Sequence, residues 1–183
     1  MGEIRQHSAS FLIAAIVSRF PDVRQFARER LAGLWGEPLL VSPEYEFVET
    51  SYYQASMGTD LIKQFLVYSP PDFDAAGIAD CKLASNALEE EIAKTNRYLV
   101  PRPLNIDPGY LTEAKLVLAT TKDRDHRIYL RDGIFAEVTL HWNHGHWGAN
   151  RWTYPDYQRE DFQLFFTECR NQLRIRQRQI HSD

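Results

Sequence analysis

Residues 11–17, FLIAAIV, are seven apolar residues in a row, and the way they are read decides the fold. The run is far shorter than the roughly 20 residues a helix needs to cross a bilayer. No basic cluster precedes it and no small-residue cleavage pattern follows it, which argues against a secretory leader. Its β-rich character suits a strand covered on both faces. The expectation is a strand at the centre of a sheet.

Working outward, Pro21 and Asp22 open a helix on which Val23, Phe26, Leu31 and Leu34 roughly keep the helical period, until Gly36 and Pro38 stop it. Residues 43–53 (PEYEFVETSYY) alternate around Tyr45 and Phe47, and 61–69 (LIKQFLVYS) is a second β-like run. Pro70, Pro71 and Asp72 introduce a long helix predicted over about 74–95, with Ile78, Cys81, Ser85, Leu88 and Ile92 in one stripe. Residues 98–106 (YLVPRPLNI) read as an edge strand, because Pro101 and Pro103 have no N–H to give a ladder. The order strand, helix, strand, strand, helix, strand predicts an α+β fold with a ferredoxin-like split βαβ core (βαββαβ) over about 8–106.

Beyond that core, Asp107-Pro108-Gly109-Tyr110 reads as a turn and Thr112 as the cap of a short helix through Thr120. Residues 126–131 and 134–142 form a β-hairpin, and Phe162, Phe165, Phe166, Cys169 and Leu173 mark one face of a terminal helix at 159–178. Hairpin and helix extend the core over about 107–183 of a single domain. A chain of 183 residues, 44% hydrophobic and 13% aromatic, is long enough to bury such a core. A net charge of −4 gives no general positive field for nucleic acid or an anionic membrane. The two cysteines, Cys81 and Cys169, are too few for a disulfide framework and point to a reducing, cytoplasmic setting.

Side chains alternate with period two, so the hairpin turn decides which residues share a face. A three-residue loop ending in a left-handed Gly133 pairs Leu130 with Ile134, Ile128 with Ala136 and His126 with Val138. It gathers Ile128, Leu130, Ile134, Ala136, Val138 and Leu140 on one face. A two-residue Asp132-Gly133 loop mixes polar and apolar groups on both. Burying each aliphatic side chain is worth roughly 1.5–3 kcal/mol, which favours the three-residue loop. The other face then carries Arg127, Tyr129, Glu137 and Thr139 beside Lys122. This is a candidate anion pocket: Arg127 and Lys122 bind phosphate or carboxylate, and Glu137 orients Arg127. His126 and Glu137 are the candidate acid or base. The plainer reading is a solvated sheet face with a cross-strand ion pair.

The runs PRPLNIDPGYLTEAKLVLATTKDRDHRIYL (101–130), GIFAEVTL (133–140) and WTYPDY (152–157), with SYYQASMG and KLASNALEEE earlier, resemble the bacterial family filed as domain of unknown function 4416. Some of its members are labelled GTP-binding protein. The resemblance implies that Asn105, Asp107, Gly109, Tyr110, Lys115, Thr120, Thr121, Lys122, His126, Arg127, Tyr129, Glu137, Thr139 and Asp156 belong together. Of these, Asn105, Lys115 and Thr121 join the ligand candidates and Asp107 the catalytic ones, but no reaction comes with it. Arg159 and Glu160 stand where a small capping residue is expected before the last helix. The chain has no GxxxxGK[ST] loop to cradle phosphates, and TTKD misses the guanine-reading [NT]KxD pattern because Arg124 stands where its Asp belongs. P-loop GTPase chemistry is therefore not expected.

Three other features carry weaker signals. Lys82, Asn86, Glu89 and Glu90 line one shoulder of the long helix, ordinarily a solvated flank. Facing the hairpin's polar side, Glu89 or Glu90 would serve as base or metal ligand, with Asp107 joining them. His141, His144 and His146 have zinc-like spacing but straddle a turn at Asn143–Gly145, and no metal site is assigned to them. Arg170, Arg174, Arg176 and Arg178 complement the last helix's dipole, and with no aromatic residues interleaved they do not predict nucleic-acid binding. The expectation is a protein that binds a small phosphorylated or anionic molecule, nucleotides included, with no cofactor implied. The alternative is a non-enzymatic module whose polar hairpin face meets a protein partner or second subunit.

Overall fold

The computed structural model describes residues 2, 3, 7, 9–49, 53–70 and 73–180. Strand β1 (Phe11–Ser18) is buried at every position. Its Leu12, Ala14 and Ile16 pack with helices α1 (Pro21–Trp35) and α3 (Ile78–Lys94). Its Phe11, Ile13 and Ala15 pack with Phe162, Phe165, Phe166, Cys169 and Leu173 of α4 (Glu160–Ile180). Both faces of β1 are covered by helices, so neither has room for a polar row.

The sheet has nine strands among the described residues. Besides β1 these are β2 (Leu40–Val41), β3 (Tyr45–Glu46), β4 (Ile62–Tyr68), β5 (Asn105–Leu111), β6 (Lys115–Thr120), β7 (Ile128–Arg131), β8 (Ile134–Asn143) and β9 (His146–Ala149). The order is β2-β4-β1-β5-β6-β8-β7, with β3 on β4 and β9 on β8, and all recorded pairs are antiparallel. A short helix, α2 (Gln54–Met57), joins β3 to β4. The fold is a mixed α+β sheet larger than four strands, and it continues without a break across residue 107. Thr50–Tyr52 of the expected second strand, and Pro71 and Asp72 before the long helix, lie outside the described residues.

Several local expectations are corrected. Residues 98–104 are not a strand, and the strand that follows is central, lying between β1 and β6. The expected Asp107–Tyr110 turn is the body of β5, and the expected helix from Thr112 is β6. Thr112 caps the turn between them instead, its hydroxyl accepting from the N–H groups of Ala114 and Lys115 at 3.1 Å. Leu116, Val117, Leu118 and Ala119 are all buried, so the run lacks the alternation that marks a half-exposed strand.

Pro108 is tolerated within a central strand because the β5–β6 ladder opens beside it. Pairing with β6 runs only from Gly109 to Leu111. There the chains are close: a Cβ on Gly109 would fall 2.2 Å from the Val117 carbonyl oxygen. Before Gly109, α3 replaces the missing strand. Lys82 Nζ donates to the Ile106 carbonyl at 2.6 Å and Glu89 Oε1 accepts the Ile106 N–H at 2.8 Å. Alternate residues of an antiparallel strand turn their backbone groups to the same neighbour, so Pro108 faces the gap as Ile106 does. Its missing N–H leaves no orphan donor there.

At the β7–β8 turn the three-residue loop is corrected. Asp132 and Gly133 both have positive φ (52° and 75°) and Arg131 pairs with Ile134, which is the two-residue Asp-Gly turn. Leu130 is then skipped, and this bulge restores the pair Ile128–Ala136. With the bulge at Leu130, the two-residue turn keeps the aliphatic pair that the three-residue loop predicts. Ile128 and Tyr129 on edge strand β7 are exposed, whereas Ile134, Glu137, Thr139 and Leu140 on β8 are buried. Thr139 is skipped in turn on the β6 side, with Leu116 opposite Leu140 and Val117 opposite Val138.

Candidate functional site

Alternate residues of neighbouring strands build the floor of the site. Lys63, Asn105 and Asp107, Leu118 and Thr120, and Glu137 fall on the α4 side of β4, β5, β6 and β8 by the register of those strands. The body of α4 covers the aliphatic part of this face. Over the polar part lies a cavity of about 380 Å³, walled by the single-turn helix Pro155–Gln158 and by Phe47, Tyr53 and Tyr154. The β5–β6 gap lets Lys82 and Arg102 line the same space.

Two ionic groups frame the cavity. Lys63 and Asp156 form a pair with both side chains buried, and the Lys63 ammonium lies 4.5 Å from the Tyr157 ring centre and 4.8 Å from that of Phe47. Lys82 reaches Asp107 at 3.3 Å, and Asn105 donates to the other Asp107 oxygen at 2.7 Å. Glu89 sits behind them, taking Arg102 at 2.7 Å. Burial works to raise the Asp107 carboxyl, but Lys82, then Lys63, hold it below its ordinary value. At Glu89 burial wins over Lys82 and Arg102, and the carboxyl is raised.

Glu137 is a further carboxylate of the lining. Its Oε2 accepts Arg127 Nε at 2.6 Å and faces His126 Nε2 at 3.1 Å, while its Oε1 is buried with no hydrogen-bond partner among the described residues. Leaving such an atom unmet costs about 1–3 kcal/mol. Arg127 also donates to the Lys122 carbonyl at 2.9 Å and to the Tyr154 hydroxyl at 2.7 Å. His126 is stacked on Trp152 at 5.0 Å, with Asp125 on its other nitrogen at 3.0 Å. The hydroxyl of Tyr157, another cavity residue, likewise has no partner. Burial first, then Asp156 and Asp107, raise its phenol well above the usual range, so it stays a neutral hydroxyl.

Of the residues singled out in the sequence, Lys122, Thr121, Asn105, Asp107 and Glu137 come together in the lining. Arg127 and His126 contact Glu137 from outside the lining. Tyr129 is exposed against Phe135, Lys115 lies opposite His141 at the far end of β6, and Thr139 is the buried bulge residue. These three are outside the cavity. On the helix shoulder Lys82 and Glu89 reach the site, whereas Glu90 pairs with Lys94 on the surface. Among the described residues no group of three His, Cys, Asp or Glu side chains stands where it would hold a metal. His144 and Gly145 form the β8–β9 turn, both with positive φ.

Sequence reasoning missed Lys63, Arg102 and the true role of Asp156. Lys63 carried a signal, being one charge inside the apolar run LIKQFLVY, where a buried lysine requires a partner. The family resemblance names Asp156 but not its partner, which is 93 residues away in the chain. Arg170 and Arg174 at the basic end of α4 turn to Glu113, and Arg170 also lies over Trp142 at 4.2 Å.

The sequence matches the family described as Domain of unknown function (DUF4416) over residues 7–173. The chain belongs to that family. No curated protein and no solved structure matches it. The family match spans every described strand and the first two thirds of α4, so the cavity falls within one family unit. Among the described residues no helix is long and apolar enough to cross a membrane.

Proposed function

We propose that this protein binds a small phosphorylated or otherwise anionic molecule in the cavity over β4, β5, β6 and β8. The observation that carries the reading is four cationic side chains, Lys63, Lys82, Arg102 and Lys122, lining one space large enough for a metabolite. Four carboxylates share the lining: Glu49, Asp107, Glu137 and Asp156. The GTP-binding label of some family members fits nucleotides as one class of ligand, held without a P-loop.

The test is a thermal-shift screen of nucleotides and phosphosugars. A ligand at 100 times its dissociation constant should stabilise the protein by about 2.7 kcal/mol, with the shift lost in Lys122→Ala. A screen in which nothing stabilises the wild type would remove the proposal.

Two finer readings accompany it. The order β2-β4-β1-β5, with α1 and α3 packed on one face, supports a ferredoxin-like core that β6, β7, β8 and β9 extend past its fourth strand. A cytoplasmic setting is supported by two buried free cysteines, with the Cys81 thiol pushed up to about 11 by burial.

A further inference from the structure

Building on the anion-binding reading, we propose that the ligand is a phosphorylated polyol, a free sugar phosphate or the ribose phosphate of a nucleotide, and that one of its hydroxyls donates to Glu137 Oε1. Glu137 lines the cavity with 3% of its surface exposed. The two groups holding its Oε2, Arg127 and His126, both stand outside the lining. Among the described residues Oε1 has no donor.

A carboxylate only accepts hydrogen bonds, and it repels an anion. A site for bare phosphate would be weakened by this group. A ligand that brings hydroxyls satisfies it. The Tyr157 hydroxyl points to the same chemistry: it too is buried in the cavity wall without a partner, and it can accept from one ligand group while donating to another.

The spacing agrees. Lys82 reaches the cavity at β5, and Glu137 sits two strands away on β8. That is about 10 Å at the usual strand separation. A ligand touching both ends must be longer than a phosphate ion.

The experiment is calorimetric titration of the full chain with inorganic phosphate, ribose, ribose 5-phosphate, cyclopentylmethyl phosphate and adenosine 5′-monophosphate. Ribose 5-phosphate or the nucleotide should bind at least tenfold more tightly than phosphate or the hydroxyl-free cyclopentyl ester. Glu137→Leu, which can neither accept from nor donate to a hydroxyl, should reduce that preference to less than threefold. The cyclopentyl comparison needs no variant, so a Glu137→Leu protein that fails to fold does not spoil the test. Tight binding of the nucleotide but not of ribose 5-phosphate would identify the source as a nucleotide.

If phosphate or the cyclopentyl ester binds as well as ribose 5-phosphate, the hydroxyl contact is wrong and the anion site stands. If ribose binds as well as its phosphate, in a Glu137-dependent way, the anion reading falls and the contact stands. Binding of none of the five overturns both.

Discussion

The ammonium of Lys82 donates to the main-chain carbonyl of Ile106 at 2.6 Å, at a point where a neighbouring strand would ordinarily supply the donor. The side chain is almost wholly buried and also meets Asp107 and, at 3.9 Å, Glu89. It supports the backbone of β5 and sets the charge of the site together.

Lys82→Met keeps the length of the side chain and removes both roles. It leaves the Ile106 carbonyl unmet and Glu89 with one cation fewer. Chemical denaturation should show a loss of about 2–4 kcal/mol. A loss below half a kcal/mol would mean that water or a shifted β6 replaces the ammonium.

Gly109→Ala tests the close approach of β5 and β6. A methyl at Gly109 would collide with the Val117 carbonyl, which is backbone and cannot rotate away. The expected loss is about 1–3 kcal/mol or more. An alanine protein of wild-type stability would show that the ladder has room to spread.

Arg127→Ala should destabilise by about 3–5 kcal/mol, since Arg127 and Glu137 are 5% and 1% exposed and the carboxylate would stay buried with His126 alone. The double variant Arg127→Met, Glu137→Leu should recover most of that loss by removing the stranded charge. Equal stabilities for the single and double variants would show that the pair is not coupled.

The pH dependence follows from Asp107. Its folded carboxyl lies below the ordinary value of 3.8, so the folded state releases this proton more readily than the unfolded one. The resulting stability is present above the ordinary value and is lost as pH falls through the depressed one. Glu89 is shifted the other way, so its contribution is present at low pH and fades as pH rises through its raised value. In urea titrations at stepped pH, the stability gap between wild type and Asp107→Asn should therefore narrow below about pH 4. A gap independent of pH would mean that Asp107 is not held ionised by Lys82 and Lys63.

The sequence showed most of the frame and about half of the site, and the divide has a physical cause. β1, β4, α1, α3 and α4 were readable because each is long and its covering layers leave a clear apolar signature. β5 and β6 were not. Pro108 and Gly109 read as a turn because their usual meaning is local, whereas here both answer to a long-range event, the opening of the ladder and the approach of Val117. Within the site, Lys122 and Glu137 stand out on the polar face of the expected hairpin, and Asp107 through the family resemblance. The pairing of Lys63 with Asp156 does not, because a buried ion pair shows its partners only once its two elements are brought together. The hairpin failed for a third reason: two local preferences that seemed to compete were both met once Leu130 was skipped.

One inserted residue has a large effect on what this face of the sheet can be. Because Thr139 takes no place opposite β6, Leu140 and Glu137, an odd number of positions apart, fall on the same side as Leu116 and Leu118. Excising Thr139 would force the strand to choose, either seating the leucine under α4 and turning the carboxylate away, or keeping the carboxylate and sending the leucine outward. A greasy support and a charged chamber share one surface because the ribbon changes step between them.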